Sequence, residues 1–120
     1  MTALDGAIYV VNGTSHPYGY LLPMRYGYVY ILCSQKNGTL YIGVTSDLWG
    51  RLQEHKSHHN PKSFTAKHNV TRLVWFERHD LVADAIVREK AIKKWKRERK
   101  IALIEEDNSE WRELILDYDD

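Results

Sequence analysis

The chain has 120 residues, enough for one compact domain with a modest stability margin. Hydrophobic residues at 43% and charged residues at 28% are an ordinary globular balance, and no apolar run approaches the ~20 residues that cross a bilayer. The net charge of +1 excludes a uniformly basic or acidic polymer binder but hides an asymmetry. Arg88, Lys90, Lys93, Lys94, Lys96, Arg97, Arg99 and Lys100 crowd one segment, and the residues after it are mainly acidic, from Glu105 to Asp120. Such a basic block either attracts phosphates or forms the solvated face of a helix. The single cysteine, Cys33, excludes an internal disulfide, and residues 1–6 lack the basic start of a secretory signal. The expected setting is a reducing cytoplasm, with no membrane and no disulfide partner.

Residues 1–25 carry Gly6, Asn12-Gly13, Pro17, Gly19 and Pro23, which are turn and breaker signals. They are expected to form an extension of uncertain order, with the domain proper in 26–120. Residues 28–33 (YVYILC) read as a buried strand. Asn37-Gly38 signals a hairpin, and residues 40–44 (LYIGV) form the returning strand. Thr45-Ser46-Asp47 offers N-cap oxygens for a helix over 47–58 whose apolar stripe is Leu48 and Leu52. Residues 59–69 read as a polar loop around Pro61, and 71–77 as a third strand. A long helix is expected over 83–99, a short helical turn at 101–104, and a last helix over 110–116, capped by Asn108 or Ser109. The order β-β-α-β-α-α with an opening hairpin predicts a mixed α/β (α+β) fold: a small, mainly antiparallel three-stranded sheet flanked by helices.

Three groups of residues suit phosphate chemistry. Tyr30 and Tyr41 lie on either side of the hairpin turn and approach each other if it closes there. Arg51 and His55, at i and i+4, share one side of the first helix, beside its apolar stripe. An arginine there can fork onto a phosphate, and a histidine can move a proton near neutral pH. Glu89 falls on the buried side of the second helix with Val82, Ala85, Ile86 and Ile92, while Lys90, Lys94 and Arg97 point away. A buried carboxylate needs a cation: an arginine such as Arg51 or Arg72, a lysine, or a metal ion. Each group also has a plain structural reading, as sheet packing, helix edge or salt bridge. Trp95 reads as core, and His55, His58 and His59 have the spacing of a zinc or nickel pincer, with solvated histidines at a helix end the simpler account.

Residues 28–55 resemble the GIY-YIG nuclease motif. Tyr28-Val29-Tyr30 stands at the first triplet, with Tyr28 in place of the opening glycine. Tyr41-Ile42-Gly43 is the second triplet, and Ser46-Asp47-Leu48 with Arg51 and His55 matches the helix signature. Arg88-Glu89-Lys90, Ser63-Phe64-Thr65-Ala66 and Asn108-Ser109-Glu110-Trp111 are similar to short, single-domain bacterial members, so that the likeness spans about residues 26–116. It implies an endonuclease hydrolysing phosphodiester bonds of nucleic acid, DNA more than RNA, in the processing or repair of DNA. By position its catalytic set is Tyr30, Tyr41, Arg51, His55 and Glu89, with Asn108 a sixth candidate. The implied roles are a single Mg²⁺ or Mn²⁺ on Glu89, a phosphate clamp at Arg51, and water activation by Tyr30. His55 would join the proton path and Tyr41 would hold phosphate or water. Lys90, Lys94, Arg97 and Asn108 are the candidate nucleic-acid contacts. The alternatives are a nucleic-acid-binding module on the same fold without cleavage, and a scaffold protein using the basic and acidic segments.

Overall fold

The structure, a computed structural model, describes residues 26–116. The 1–25 extension and residues 117–120 lie outside the described residues. Strand β1 (Gly27–Cys33) pairs antiparallel with β2 (Leu40–Thr45) on one side and with β3 (Arg72–His79) on the other. The sheet order is β2-β1-β3, so β2 is an edge strand. The hairpin turns through Asn37 at φ 60, a left-handed conformation that asparagine tolerates.

Alternation along β1 divides the molecule into two cores. Val29, Ile31 and Cys33, with Ile42 and Val44 of β2, face Val82, Ala85, Ile92, Ile104 and Trp111. Tyr30 and Leu32 face the opposite way, toward Leu48, Leu52, Val70 and Leu73. Burial pushes the Cys33 thiol pKa up, which keeps this residue an inert part of the first core.

Helix α1 (Leu48–Lys56) covers the Tyr30 face through Leu48 and Leu52. Asp47 caps it, accepting from the Gly50 amide at 3.0 Å. A Cβ on Gly50 would lie 2.2 Å from Asp47 Oδ2, so glycine makes room for the cap at the cost of helix propensity. The segment expected to be a plain loop contains a one-turn helix, α2 (Phe64–Lys67), capped by Ser63.

The opposite face is covered by α3 (Val82–Lys93) and α4 (Arg97–Asp107). These replace the single helix expected over 83–99, with a break at residues 94–96. The reason lies in the helical period. A straight continuation would carry Lys96, seven residues beyond Glu89 and four beyond Ile92, onto the buried stripe. The turn instead leaves Lys96 exposed and brings Ile101 and Ile104 against the sheet. Trp95 packs against this core, with the Arg99 guanidinium 3.8 Å from its ring centroid.

The expected last helix over 110–116 is absent. Asn108 donates to the carbonyls of Val74 (3.0 Å) and Arg112 (2.9 Å) and accepts from the Arg112 amide at 2.9 Å. This holds Trp111 at φ 57 and completely buried, its indole donating to Glu105 at 2.8 Å. The chain then lies alongside β3, where Leu114 donates its amide to Leu73 O at 2.8 Å. Residues that look like an N-cap followed by an apolar helix face therefore serve as a strap on the sheet.

Candidate active site

The hairpin register builds the first half of the site. Tyr30 pairs with Gly43 and Leu32 with Tyr41, so Tyr30 and Tyr41 are diagonal neighbours on one face. Their ring centroids are 6.3 Å apart. Gly43 is the cross-strand partner over which the phenol lies. A Cβ there would sit 2.4 Å from Tyr30 Cζ and 2.5 Å from its oxygen.

Helix α1 supplies the second half. His55 stands 5.9 Å from the Tyr30 ring centroid and 5.6 Å from that of Tyr41. The Tyr30 hydroxyl and His55 Nε2 are hydrogen-bonded at 3.1 Å. His55 Nδ1 is 3.0 Å from Thr65 Oγ1, which is 3.2 Å from Ser63 Oγ. Arg51, one turn before His55, pairs with Glu54 at 3.2 Å. Tyr41, Arg51, His55 and Phe64 line a cleft of about 330 Å³. Tyr30 itself is fully buried, its oxygen one hydrogen bond behind the imidazole.

Burial, and then the positive charge of Arg51, push the His55 pKa down to about 4 from its ordinary 6.5. The ring is therefore neutral at pH 7, with one nitrogen donating and the other accepting. Because the unfolded ring binds a proton more readily than the folded one, stability is full above about pH 6.5 and falls as the pH drops toward 4. Between pH 7 and pH 5 wild-type protein is expected to lose roughly 1 kcal/mol through this group, allowing for solvent screening of a part-exposed ring. Urea denaturation of wild type and His55→Gln at the two pH values checks this. An equal loss in both proteins would refute it.

Glu89 enters from elsewhere. It lies on α3, buried at 6% exposure among residues facing the first core, whereas Tyr30, Tyr41 and His55 lie on the other face. The cation that answers it is Lys93, at 2.5 Å, rather than Arg51 or Arg72. The Arg72 guanidinium is hydrogen-bonded to Trp111 O. On the flank of α3 that faces β3, Arg88 holds Glu77 at 3.0 Å. Glu89 is 100° further round the helix, on its buried side.

The remaining candidates divide. Lys90 and Lys94 are exposed, as their outward placement predicts. Arg97 binds the hairpin turn, donating to the carbonyls of Asn37 (2.8 Å) and Gly38 (2.6 Å). Asn108 holds the strap described above. Both act within the fold. His58 and His59 are exposed at the end of α1, while both nitrogens of His55 point at Tyr30 and Thr65, so the three do not form a pincer. Among the described residues no three His, Cys, Asp or Glu gather into a metal-holding group. Thr65, named in the sequence only as part of the Ser63–Ala66 likeness and given no role there, is 3% exposed and hydrogen-bonded to the imidazole. Its available signal was Ser63, an N-cap type residue two positions earlier in a segment read as loop.

The sequence model described as the GIY-YIG catalytic domain matches residues 26–102. The chain belongs to the GIY-YIG family. Among its relatives, a UPF0213 protein of Syntrophus aciditrophicus is 40% identical over 84 residues, covering 69% of this chain and 94% of the relative. A UPF0213 protein of Haloquadratum walsbyi is 40% identical over 82 residues, covering 68% and 89%. The solution structure of a UPF0213 protein from Bacillus halodurans is similar at 27% identity and a TM-score of 0.47, over 73% of this chain and 92% of that one. The match places both tyrosines, Arg51, His55 and Glu89 inside the GIY-YIG domain and leaves Asn108 beyond it.

Proposed function

We propose that this GIY-YIG domain is a divalent-metal-dependent endonuclease that hydrolyses phosphodiester bonds of nucleic acid, DNA ahead of RNA, in the cytoplasm. The observation that carries the reading is the hydrogen bond between the Tyr30 phenol and a neutral His55, one helical turn from Arg51 on the wall of a cleft. Packing alone does not call for a phenol, an imidazole and a guanidinium to gather there. The preference for DNA rests on the resemblance alone.

Arg51 turns its fork to the incoming phosphate and neutralises charge that grows on it. Tyr41, on the cleft wall, orients the phosphate or the attacking water. Tyr30 gives its O–H proton to His55 Nε2 and, as the phenolate, accepts a proton of that water. The rings of Tyr41 and His55 have to part slightly for water to reach the buried phenol. Exposed Lys90 and Lys94 add salt-dependent attraction to the backbone.

Glu89 fits a Mg²⁺ or Mn²⁺ ion in its donor chemistry. One carboxylate suffices for Mg²⁺, which keeps several waters, and the Lys93 ammonium already stands where a cation would bind. Lys93 is half exposed and can swing away. Such an ion, held by Glu89, would supply Lewis-acid charge to the phosphate being cleaved.

Two observations favour a second reading, binding without cleavage: Glu89 extends from the helix on the other face, and Tyr30 is sealed. A panel of labelled DNA and RNA strands, duplexes, flaps and branches, in Mg²⁺ or Mn²⁺ and in EDTA, separates the two. Cleavage that needs metal and is lost in Glu89→Gln supports the nuclease. Retention of the strands without cleavage supports the binding module.

A further inference from the structure

We propose that Thr65 is a positioning residue. Its hydroxyl fixes the imidazole of His55 and hands on toward Ser63 the proton that leaves Tyr30. This rests on the nuclease reading for its purpose, though not for its geometry. Four polar groups form one unbroken line: Tyr30 to His55 at 3.1 Å, His55 to Thr65 at 3.0 Å, and Thr65 to Ser63 at 3.2 Å. Thr65 is held in place by more than this line. Its carbonyl accepts from Val70 at 2.8 Å, and Val70 is part of the Tyr30 core. Ser63 Oγ also accepts from the Ala66 amide, which keeps it pinned at the end of α2.

Such a line has a chemical use because the imidazole resists charge. The groups facing it are Tyr30 from β1, Tyr41 from β2, Arg51 from its own helix, itself paired with Glu54, and the Thr65 hydroxyl from α2. With a pKa of about 4, only about one ring in 10³ is protonated at pH 7, so His55 is a poor terminus for the phenol proton. It can pass the proton through. In the resting arrangement Tyr30 O–H donates to Nε2, Nδ1–H donates to Thr65 Oγ1, and Thr65 O–H donates to Ser63 Oγ. The Tyr30 O–H bond breaks as Nε2–H forms. Nδ1–H breaks as a new Thr65 O–H forms. The old Thr65 O–H breaks as a new Ser63 O–H forms, and Ser63 releases its former proton to solvent. One proton has left, no imidazolium has formed, and Nε2–H now donates to the Tyr30 phenolate. The reverse shift restores the resting state.

Nitrogen-15 NMR of the His55 ring, with single-turnover cleavage of a labelled oligonucleotide in Mg²⁺ from pH 6 to 9, tests this. In wild type and Thr65→Ser the ring is expected as the Nδ1–H tautomer. Thr65→Val should show a mixture. Its cleavage at pH 7 should fall ~10-fold or more and recover toward wild type as the pH rises and solvent takes the phenol proton directly. Thr65→Ser should restore the neutral-pH rate. An Nε2–H ring in the resting wild type, or a Thr65→Val loss equal at every pH, would overturn the proposal. If Thr65→Val does not fold, Thr65→Ser still has to match wild type in tautomer and pH profile, and a mismatch counts against the relay. The tautomer is read on the protein alone. A wild type that shows Nδ1–H but cuts nothing upholds the geometry and sinks the nuclease reading instead.

Discussion

Arg51→Ala is expected to lower strand cleavage by ~10²–10³-fold, the usual effect of removing one donor aimed at developing charge. The side chain is part-exposed on α1, and its pairing with Glu54 is a surface contact, so thermal stability should change little. Arg51→Lys should recover only part of the rate, because a single ammonium cannot reproduce the two-pronged geometry. Single-turnover rates at saturating enzyme, compared with melting temperatures of the same proteins, make the measurement. A melting-temperature drop that accounts for the lost activity would make Arg51 structural.

Gly43→Ala should damage both fold and chemistry. The new methyl would arrive 2.4 Å from Tyr30 Cζ, 2.5 Å from its oxygen and 2.9 Å from Cε2. Tyr30 is completely buried. Either the strands part or the phenol swings off His55. The first outcome costs roughly 1–3 kcal/mol, as overpacking does. The second breaks the 3.1 Å hydrogen bond and should depress cleavage about as far as Tyr30→Phe does, by ~10²–10⁴-fold. The two substitutions act on one unit, so the double variant should be barely slower than either alone. Multiplying effects would mean that Gly43 and Tyr30 act separately.

Most of the tyrosine, arginine and histidine cluster was legible in the sequence because its rules are local. Asn37-Gly38 closes the hairpin, strand alternation puts Tyr30 and Tyr41 on one face, and a spacing of four aligns Arg51 with His55. The fold class was legible for the same reason: the order β-β-α-β-α-α holds apart from the one-turn helix Phe64–Lys67 before β3, although the last two helices are Val82–Lys93 and Arg97–Asp107 rather than 83–99 and 110–116. Lysines and arginines favour helix wherever they stand, so nothing local marked the break at 94–96. It follows from which residues the sheet accepts. Asn108-Ser109 is cap chemistry for a helix or for a loop, and the carbonyl of Val74, 34 residues away, decides between them. The wheel put Glu89 on the buried side correctly. Which face of the sheet α3 would cover is set by the connection after β3, and no periodicity reports it. The role of Thr65 was hidden because its partner His55 is ten residues back, on another element.

The account stands most directly on phosphodiester cleavage by the purified chain. An end-labelled oligonucleotide incubated with wild-type protein and Mg²⁺ or Mn²⁺ should yield shortened strands, with no product in EDTA and a loss of ~10²-fold or more with Tyr30→Phe. Intact strands across DNA and RNA substrates with either metal, or equal product from Tyr30→Phe, would contradict it.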